Sequence, residues 1–365
     1  MAGGVTVLIG NGVFRKQGPR ATLFSIEDMR AIAIENALIR VTMLLDKGAD
    51  IIEFRDKATD TDFMWASPNG IRSPKKYMPT VWDPDGNYLD YYEGGWQMLF
   101  PSIGDPAQIH SAKLGIHGEA CLLPFEVKTI NENDDQVVVE LFARMLRTPF
   151  EVTRTFTLKK DKTAIYIDEK IKNVGGHKMP FAWGHHPALG GVFLDGDVVV
   201  DIPAKEGVTF PKSFYSEYPE NEKFVWPELS TGVRLDRLPL YPGKWAGLAC
   251  VSGLSKGFCA AANPKLGKGF ALAFDEKVFP NVWLWMIYEG MNHYPWFGNA
   301  RVFAMEPLSS VPDQLNKAIE AGTALTLNAG EEVSTHFTAM IYDFKGRVKD
   351  VGIDGTVCFE EESSC

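Results

Sequence analysis

The sequence predicts an all-β protein, built as a large antiparallel β-sandwich (a supersandwich) with few short helices. Apolar and polar residues alternate along the segments 137–144, 150–158 and 164–172, and this period of two is typical of strands with one buried face. Turns rich in glycine and proline separate many short segments of this kind. The sequence lacks the regular alternation of strands and helices that a parallel sheet needs, so an antiparallel sandwich is favoured.

The remaining elements are short. The segment 31–45 alternates on both sides of a polar turn at 35–36, and turns at 131–135 and 159–162 connect neighbouring strands. The clearest helical pattern covers 312–321, which starts with a proline and is followed by a glycine. Further strands are expected at 198–202, 270–274, 282–287, 301–305 and 334–342.

Length and charge limit the classes of partner. The chain has 365 residues and a net charge of -10, and we expect one domain over residues 1–365. Nucleic acids and anionic membranes attract basic surfaces, so the acidic balance argues against both as partners. The sequence also lacks a run of about 18 apolar residues, so no membrane-spanning helix is predicted.

The cysteines and the first residues suggest a compartment. Five cysteines are scattered without the CxxC spacing of a metal site, so buried, reduced thiols are expected. Residues 1–12 lack the basic region of a signal peptide. A cytoplasmic location is therefore predicted. Whether the chain forms a homodimer stays open.

Candidate chemistry begins with histidines and one glutamate. His117 lies in LGIHGE at 114–119, and His185 and His186 lie in WGHHPALG at 183–190. Flanking glycines allow a backbone or a ligand to approach closely, but a hydrogen-bonded structural role explains each histidine equally well. Glu306 closes the apolar strand VFAMEP at 302–307, where a carboxylate is either a turn acceptor or a functional base.

The order of several motifs resembles the galactose mutarotase-like superfamily, in particular its aldose 1-epimerase (mutarotase) family. The resemblance covers about residues 32–342. It rests on IENA at 34–37, DKGADIIEF at 46–54, GGWQMLFP at 94–101, HG at 117–118, HP at 186–187, MEP at 305–307, PD at 312–313 and LNAGE at 327–331.

The resemblance implies an isomerase of carbohydrate metabolism that binds a sugar on a concave sheet face and interconverts its anomers. Glu306 matches the base that takes the proton from the anomeric hydroxyl, and His186 matches the acid that protonates the ring oxygen. His117 matches a histidine that binds the sugar. His185 is the alternative to His186, and because neighbours on a strand point to opposite faces, only one of them can face the sugar. The reaction needs no metal and no cofactor.

Other residues are candidates for sugar binding. Trp96 and Gln97 follow two glycines, and an aromatic ring suits the apolar face of a pyranose. His293 lies in an elaborated loop at 289–299. The stretch 101–105 lacks the sugar-binding arginine of the family, and Asp275 or Asp236 would have to serve as its hydroxyl-binding aspartate.

Two alternatives remain. The first is a lyase or isomerase on the same fold in which a divalent metal is held by His117, His185, His186, His293 and Glu306, which metal analysis and a chelator would reveal. A non-catalytic sugar-binding module is the other, because a fold does not imply catalysis. Two long irregular stretches, 68–106 and 205–243, are expected to cover a functional site.

Overall fold

The structure is a computed structural model that describes residues 18–78, 81, 86–210, 219–312 and 314–360. Within these residues the chain is almost entirely β-structure, with two short α-helices, α1 (Gly86–Leu89) and α2 (Leu315–Glu320), and two 3-10 turns, Ala120–Leu122 and Gly191–Leu194. The strands in chain order are β1 (Arg20–Ile26), β2 (Met29–Glu35), β3 (Ile39–Leu44), β4 (Asp50–Asp56), β5 (Thr61–Asp62), β6 (Trp96–Leu99), β7 (Ala107–Ile109), β8 (Ala112–Leu114), β9 (Glu126–Glu132), β10 (Gln136–Arg144), β11 (Phe150–Lys159), β12 (Ala164–Asn173), β13 (Met179–Phe181), β14 (Gly184–Leu189), β15 (Val198–Asp201), β16 (Glu206–Thr209), β17 (Lys223–Val225), β18 (Arg237–Leu238), β19 (Trp245–Ser252), β20 (Phe258–Asn263), β21 (Lys268–Phe274), β22 (Asn281–Tyr288), β23 (Arg301–Leu308), β24 (Leu325–Leu327), β25 (Glu332–Asp343), β26 (Val348–Val351) and β27 (Val357–Phe359).

Two large antiparallel sheets form the sandwich. Sheet A has the strand order β1-β2-β3-β4-β6-β14-β23-β22-β19-β16-β17, and β5 pairs with β4. Sheet B has the order β18-β15-β20-β21-β25-β12-β11-β10-β9. Neighbouring strands in both sheets run antiparallel, for example β10 with β11 and β22 with β23. The predicted all-β antiparallel sandwich is therefore confirmed.

The segments with clean alternation form the strands that the sequence predicts. Along β11 and β12 buried residues alternate with partly or fully exposed ones, because one face of sheet B packs on the core and the other meets solvent. The predicted helix at 312–321 is shorter than expected, since Gln314 has an extended backbone and α2 begins only at Leu315. Asp313 lies outside the described residues.

The central strands of sheet A, β14, β22 and β23, are buried on both faces. The inner face of this sheet packs against sheet B in one large apolar core that includes Trp183, Phe303 and Phe337. A second apolar cluster, with Trp65, Trp285 and others, lies on its outer face. No helix in the described ranges is long and apolar enough to cross a membrane.

The cysteines follow the expectation only in part. Cys121, Cys250 and Cys259 are buried free thiols, and burial raises the pKa of each. Cys358 is disulfide-bonded, which corrects the expectation of a fully reduced chain.

Charged side chains interrupt the core between the two sheets. Arg154 on β11 and Glu169 on β12 are cross-strand neighbours, and Arg154 Nε donates to Glu169 Oε1 over 2.7 Å. The other carboxylate oxygen, Oε2, lies 3.0 Å from Nε2 of His185 on β14. Trp96 Nε1 donates to Nδ1 of the same histidine over 3.0 Å. We call Arg154, Glu169, His185 and Trp96 the inter-sheet network, because it joins two strands of sheet B to two of sheet A.

Glu169 is ionised in this network. Burial alone would raise its pKa, but the hydrogen bonds from His185 and Arg154 and the charge of Arg154 outweigh burial and lower the pKa to about 2. The folded state therefore favours the carboxylate over its protonated form.

We expect Glu169→Gln to destabilise the fold by about 3–5 kcal/mol at pH 7, because the substitution leaves the buried Arg154 cation without its counter-charge. The pKa of Glu169 is lowered on folding, so the stabilising contribution is complete above the ordinary carboxyl pKa. It is lost as the pH falls from about 4.5 towards 2. The difference in unfolding free energy between wild type and variant should shrink over that range, measured by chemical denaturation.

Asp168→Asn is the matched control. Asp168 precedes Glu169 on β12 and pairs with His336, but both side chains are more than half exposed, and exposed ion pairs contribute about 0–1 kcal/mol. An equal loss of stability in both variants would contradict the role of the buried charges.

Candidate functional site

Four side chains form a row across the outer face of sheet A. Gln97 on β6 lies opposite His186 on β14, and Glu306 on β23 lies opposite Trp283 on β22. The pairs Gly184–Leu308 and Ala188–Ala304 fix the register between β14 and β23, which places His186 opposite Glu306. Cross-strand neighbours share one face of a sheet, so all four side chains point the same way.

His186 and Glu306 form the centre of this row. Their Nε2 and Oε1 atoms are 3.5 Å apart, and the two side chains are only 6% and 2% exposed. On the other side of the imidazole, the hydroxyl oxygen of Tyr92 lies 3.4 Å from Nδ1. A carboxyl and an imidazole within about one hydrogen-bond length can exchange a proton and can act together on one small substrate.

Burial shifts both groups towards their neutral forms. It raises the pKa of Glu306 well above its usual value and lowers the pKa of His186 to about 4. Between these two shifted pKa values the pair holds one proton, and that proton resides on the carboxyl group.

His117 joins the pair from a loop. Its backbone has a positive φ of 61°, and the N–H of Gly104 donates to its Nδ1 over 3.2 Å. The neutral ring therefore carries its proton on Nε2. The ring centre lies 5.5 Å from that of His186, and burial together with the charge of His186 lowers the pKa of His117. The structure thus brings together Glu306, His186 and His117.

Aromatic rings surround the three groups. Trp285 lies 5.2 Å from the ring of His186, and Tyr88 lies 4.7 Å from that of His117. We call Trp65, Tyr88, Tyr92, Trp285 and Trp296 the aromatic wall. Trp65 contacts Tyr92, Trp285 and Trp296 at ring distances of 5.7, 6.1 and 5.4 Å. Sequence reasoning missed Trp65, Tyr88 and Tyr92, although the aromatic content of the stretch at 68–106 was a signal for the two tyrosines.

The loop at 289–299 completes the wall. Trp296 Nε1 donates to Ser67 Oγ over 3.2 Å, and the hydroxyl of Tyr294 donates to Asp90 Oδ1 over 2.7 Å. His293 is exposed, with its Nδ1 2.8 Å from the carbonyl oxygen of Tyr294. The expectation that His293 faces the sugar is corrected, because the loop turns its tryptophan inward and this histidine outward.

Two further expectations are wrong for a simple geometric reason. His185 and Trp96 belong to the inter-sheet network and are fully buried behind sheet A. Side chains alternate along a strand, so His186 and Gln97 face outward while His185 and Trp96 face the core.

Gln97, in contrast, lies on the outer face of sheet A with His186, where a residue that binds a sugar would have to be. Its Nε2 donates to the carbonyl of Gly94 over 2.5 Å, and its buried Oε1 has no hydrogen-bond partner among the described residues. This atom is a ready acceptor for a ligand hydroxyl.

The aspartate candidates lie elsewhere. Asp275 is exposed after β21 of sheet B, where its carboxylate accepts from the N–H of Lys277 over 2.9 Å. Asp236 is paired with Arg234 and Arg347. Neither side chain belongs to the row on sheet A, so the expectation that one of them binds substrate hydroxyls is corrected.

A buried lysine, Lys47, holds the segment of the chain that carries Tyr88 and Tyr92. Lys47 Nζ lies 2.9 Å from Asp50 and 2.6 Å from Glu93, and Glu93 directly follows Tyr92. Lysine between Asp46 and Gly48 has the sequence context of a surface turn, so nothing in the sequence indicated its burial.

The five residues proposed as metal ligands do not converge. His185 lies behind the sheet and His293 is exposed, as described above. Across the described segments of the chain, no three His, Cys, Asp or Glu side chains come together in a geometry suited to a metal ion.

Comparisons with known proteins agree with this architecture. A family model described as a domain of unknown function, DUF4432, matches residues 27–341. No protein of curated function matches the chain in sequence. Among solved structures, a galactose mutarotase-like protein from Lactobacillus casei is 20% identical, with a TM-score of 0.57 over 86% of this chain and 100% of that chain.

Two other solved structures are similar. A galactose mutarotase-like protein from Clostridium acetobutylicum is 15% identical, with a TM-score of 0.61 over 90% of this chain and 99% of that chain. A candidate aldose 1-epimerase from Klebsiella pneumoniae is 12% identical, with a TM-score of 0.70 over 89% of this chain and 88% of that chain. At such identities the likeness shows the fold, and with the family match it follows that the chain belongs to the DUF4432 family and has the galactose mutarotase-like fold.

Proposed function

We propose that this protein is a carbohydrate isomerase that interconverts the anomers of an aldose. The observation that carries the proposal is the buried pair of Glu306 and His186, 3.5 Å apart, on the floor of a site walled by aromatic rings. Ring opening of a sugar needs one group that accepts the proton of the anomeric hydroxyl and one that donates to the ring oxygen. A pair that shares one proton supplies both.

In this mechanism Glu306 accepts the proton and His186 donates one, as the family resemblance implies. The active form is the carboxylate–imidazolium pair, which arises from the neutral pair by transfer of a proton from Glu306 to His186. Both forms hold the same single proton, so they share one pH dependence. After the ring opens, rotation about the C1–C2 bond and reversal of the two transfers give the other anomer.

The surroundings favour an uncharged sugar. The carboxylates of Asp50 and Glu93 already bind the ammonium group of Lys47, so this cation is not available to an anionic substrate. Phosphate recognition usually recruits arginine or lysine. The Nε2 of His117 and the Oε1 of Gln97 offer one donor and one acceptor for sugar hydroxyls, and the wall offers aromatic faces for C–H groups.

We expect Glu306→Gln and His186→Ala each to reduce the rate of anomer equilibration by about 10²–10⁴-fold, because each removes one proton-transfer partner. The measurement is polarimetry, or NMR of the anomeric protons, on a panel of freshly dissolved aldoses. The first sugar whose equilibration the wild type accelerates identifies the substrate.

Two exposed residues provide matched controls. Asp275→Asn, just after β21, changes a carboxylate to an amide, and His336→Ala on β25 removes an imidazole. Both variants should retain full activity. A wild type that accelerates no sugar would reject the isomerase. Retained sugar binding in that case would indicate a binding module.

The pH dependence should reflect the shared proton. The pair gains a second proton only as the pH falls through about 4, the lowered pKa of His186. It loses its single proton only above the usual carboxyl range, because burial raises the pKa of Glu306. We therefore expect kcat/KM to fall below about pH 4 and to decline again only well above the usual carboxyl range, after subtraction of the uncatalysed rate.

An isolated histidine acid would behave differently. Its activity would decline as the pH rises through about 6.5, the ordinary pKa of histidine. A decline centred there would show that His186 titrates alone, and would contradict the shared proton.

A further inference from the structure

The inter-sheet network is placed directly behind the candidate site. Arg154 and Glu169 are fully buried and come from sheet B, which carries none of the side chains of the row or of the aromatic wall. Buried ion pairs contribute little net stability compared with apolar residues of similar volume. Two charges at the centre of an apolar core therefore call for a role other than stability.

The network contacts three elements that carry site residues. Glu169 binds His185, whose neighbour on β14 is His186. Through His185 the network reaches Trp96, whose neighbour on β6 is Gln97.

The third connection runs through Arg154. Its Nη1 donates to the carbonyl oxygens of Gly48 and Ala49 over 3.2 and 3.4 Å. These residues form the turn between Lys47 and Asp50, and Lys47 in turn holds Glu93, next to Tyr92.

We propose that Glu169 and Arg154 are positioning residues, which fix the directions of His186, Gln97 and Tyr92 from the opposite sheet. The inference rests on the proposed isomerase function. Both ring nitrogens of His185 are engaged, so its ring cannot turn, and β14 cannot roll about its own axis. Because neighbouring side chains project to opposite faces, a roll of β14 would displace the imidazole of His186 from Glu306. A displacement of about 1 Å at reacting groups can cost about 10²-fold in rate.

The experiment separates positioning from stability. In the double variant Arg154→Met/Glu169→Leu, apolar side chains of similar length replace both charges, and such replacements are often neutral or stabilising. We expect the double variant to fold and to lose less stability than Glu169→Gln, because no buried charge is left unpaired, although the ring N–H of His185 loses its acceptor. On the sugar that the wild type equilibrates, we expect kcat to fall about 10–100-fold while KM changes less than about threefold.

Asp201→Asn is the matched control. Asp201 pairs with Arg347, an interaction between β15 and the segment before β26 that does not contact the site. This variant should lower the unfolding midpoint and leave kcat unchanged at a temperature where it is fully folded. A stable double variant with wild-type kcat would overturn the positioning role.

A second measurement does not depend on turnover. NMR of the histidine ring signals, assigned through His186→Ala, should show a changed environment of His186 in the double variant and an unchanged one in Asp201→Asn. Unchanged signals in the double variant would overturn the inference. A wild type without activity on any sugar would instead reject the proposed function, and the NMR result would still decide whether the network positions His186.

Discussion

Successive side chains of a strand point to opposite faces of its sheet, and the candidate site depends on this alternation in β6, β14 and β23. On the outer face it aligns Gln97, His186 and Glu306 in one row. On the inner face it sends Trp96 and His185 into the core between the sheets. A one-residue shift in the register of β14 would exchange the two histidines and remove the proton-transfer pair.

The second constraint is burial on both faces of the central strands of sheet A. Solvent reaches neither the inter-sheet network nor, to any large extent, the pair of His186 and Glu306. Both Glu169 and Glu306 are buried, but their pKa values shift in opposite directions. Glu169 meets a cation and stays ionised, whereas burial alone acts on Glu306 and raises its pKa well above the usual carboxyl value.

Much of the fold could be predicted from the sequence, because strands with one solvent-exposed face alternate visibly. The central strands of sheet A were harder, since β22 and β23 are buried almost throughout and show no alternation. The motifs of the family located Glu306, His186 and His117. They could not show which of two adjacent residues faces outward, because that choice depends on the cross-strand register, and so Trp96 was placed on the wrong side.

The buried charges, in contrast, are visible in the sequence. Arg154 and Glu169 occupy positions in FEVTRTFTL and AIYIDEKIK where the alternation demands an apolar residue, and two opposite charges at such positions on adjacent strands indicate a buried pair. Tyr88 and Tyr92 could not be placed, because they reach the site through an irregular segment whose path depends on tertiary contacts such as Lys47 with Glu93.

The aromatic wall is formed by separate stretches of chain that meet at the hydrogen bond between Tyr294 and Asp90. With the wall closed, the groups that would act on a sugar are almost inaccessible to solvent. For the proposed sugar substrate, access to this pair would require these stretches to separate, which would hold the association rate constant below the diffusion limit. The same closure would lengthen the residence time of that sugar and would allow several ring openings before it leaves.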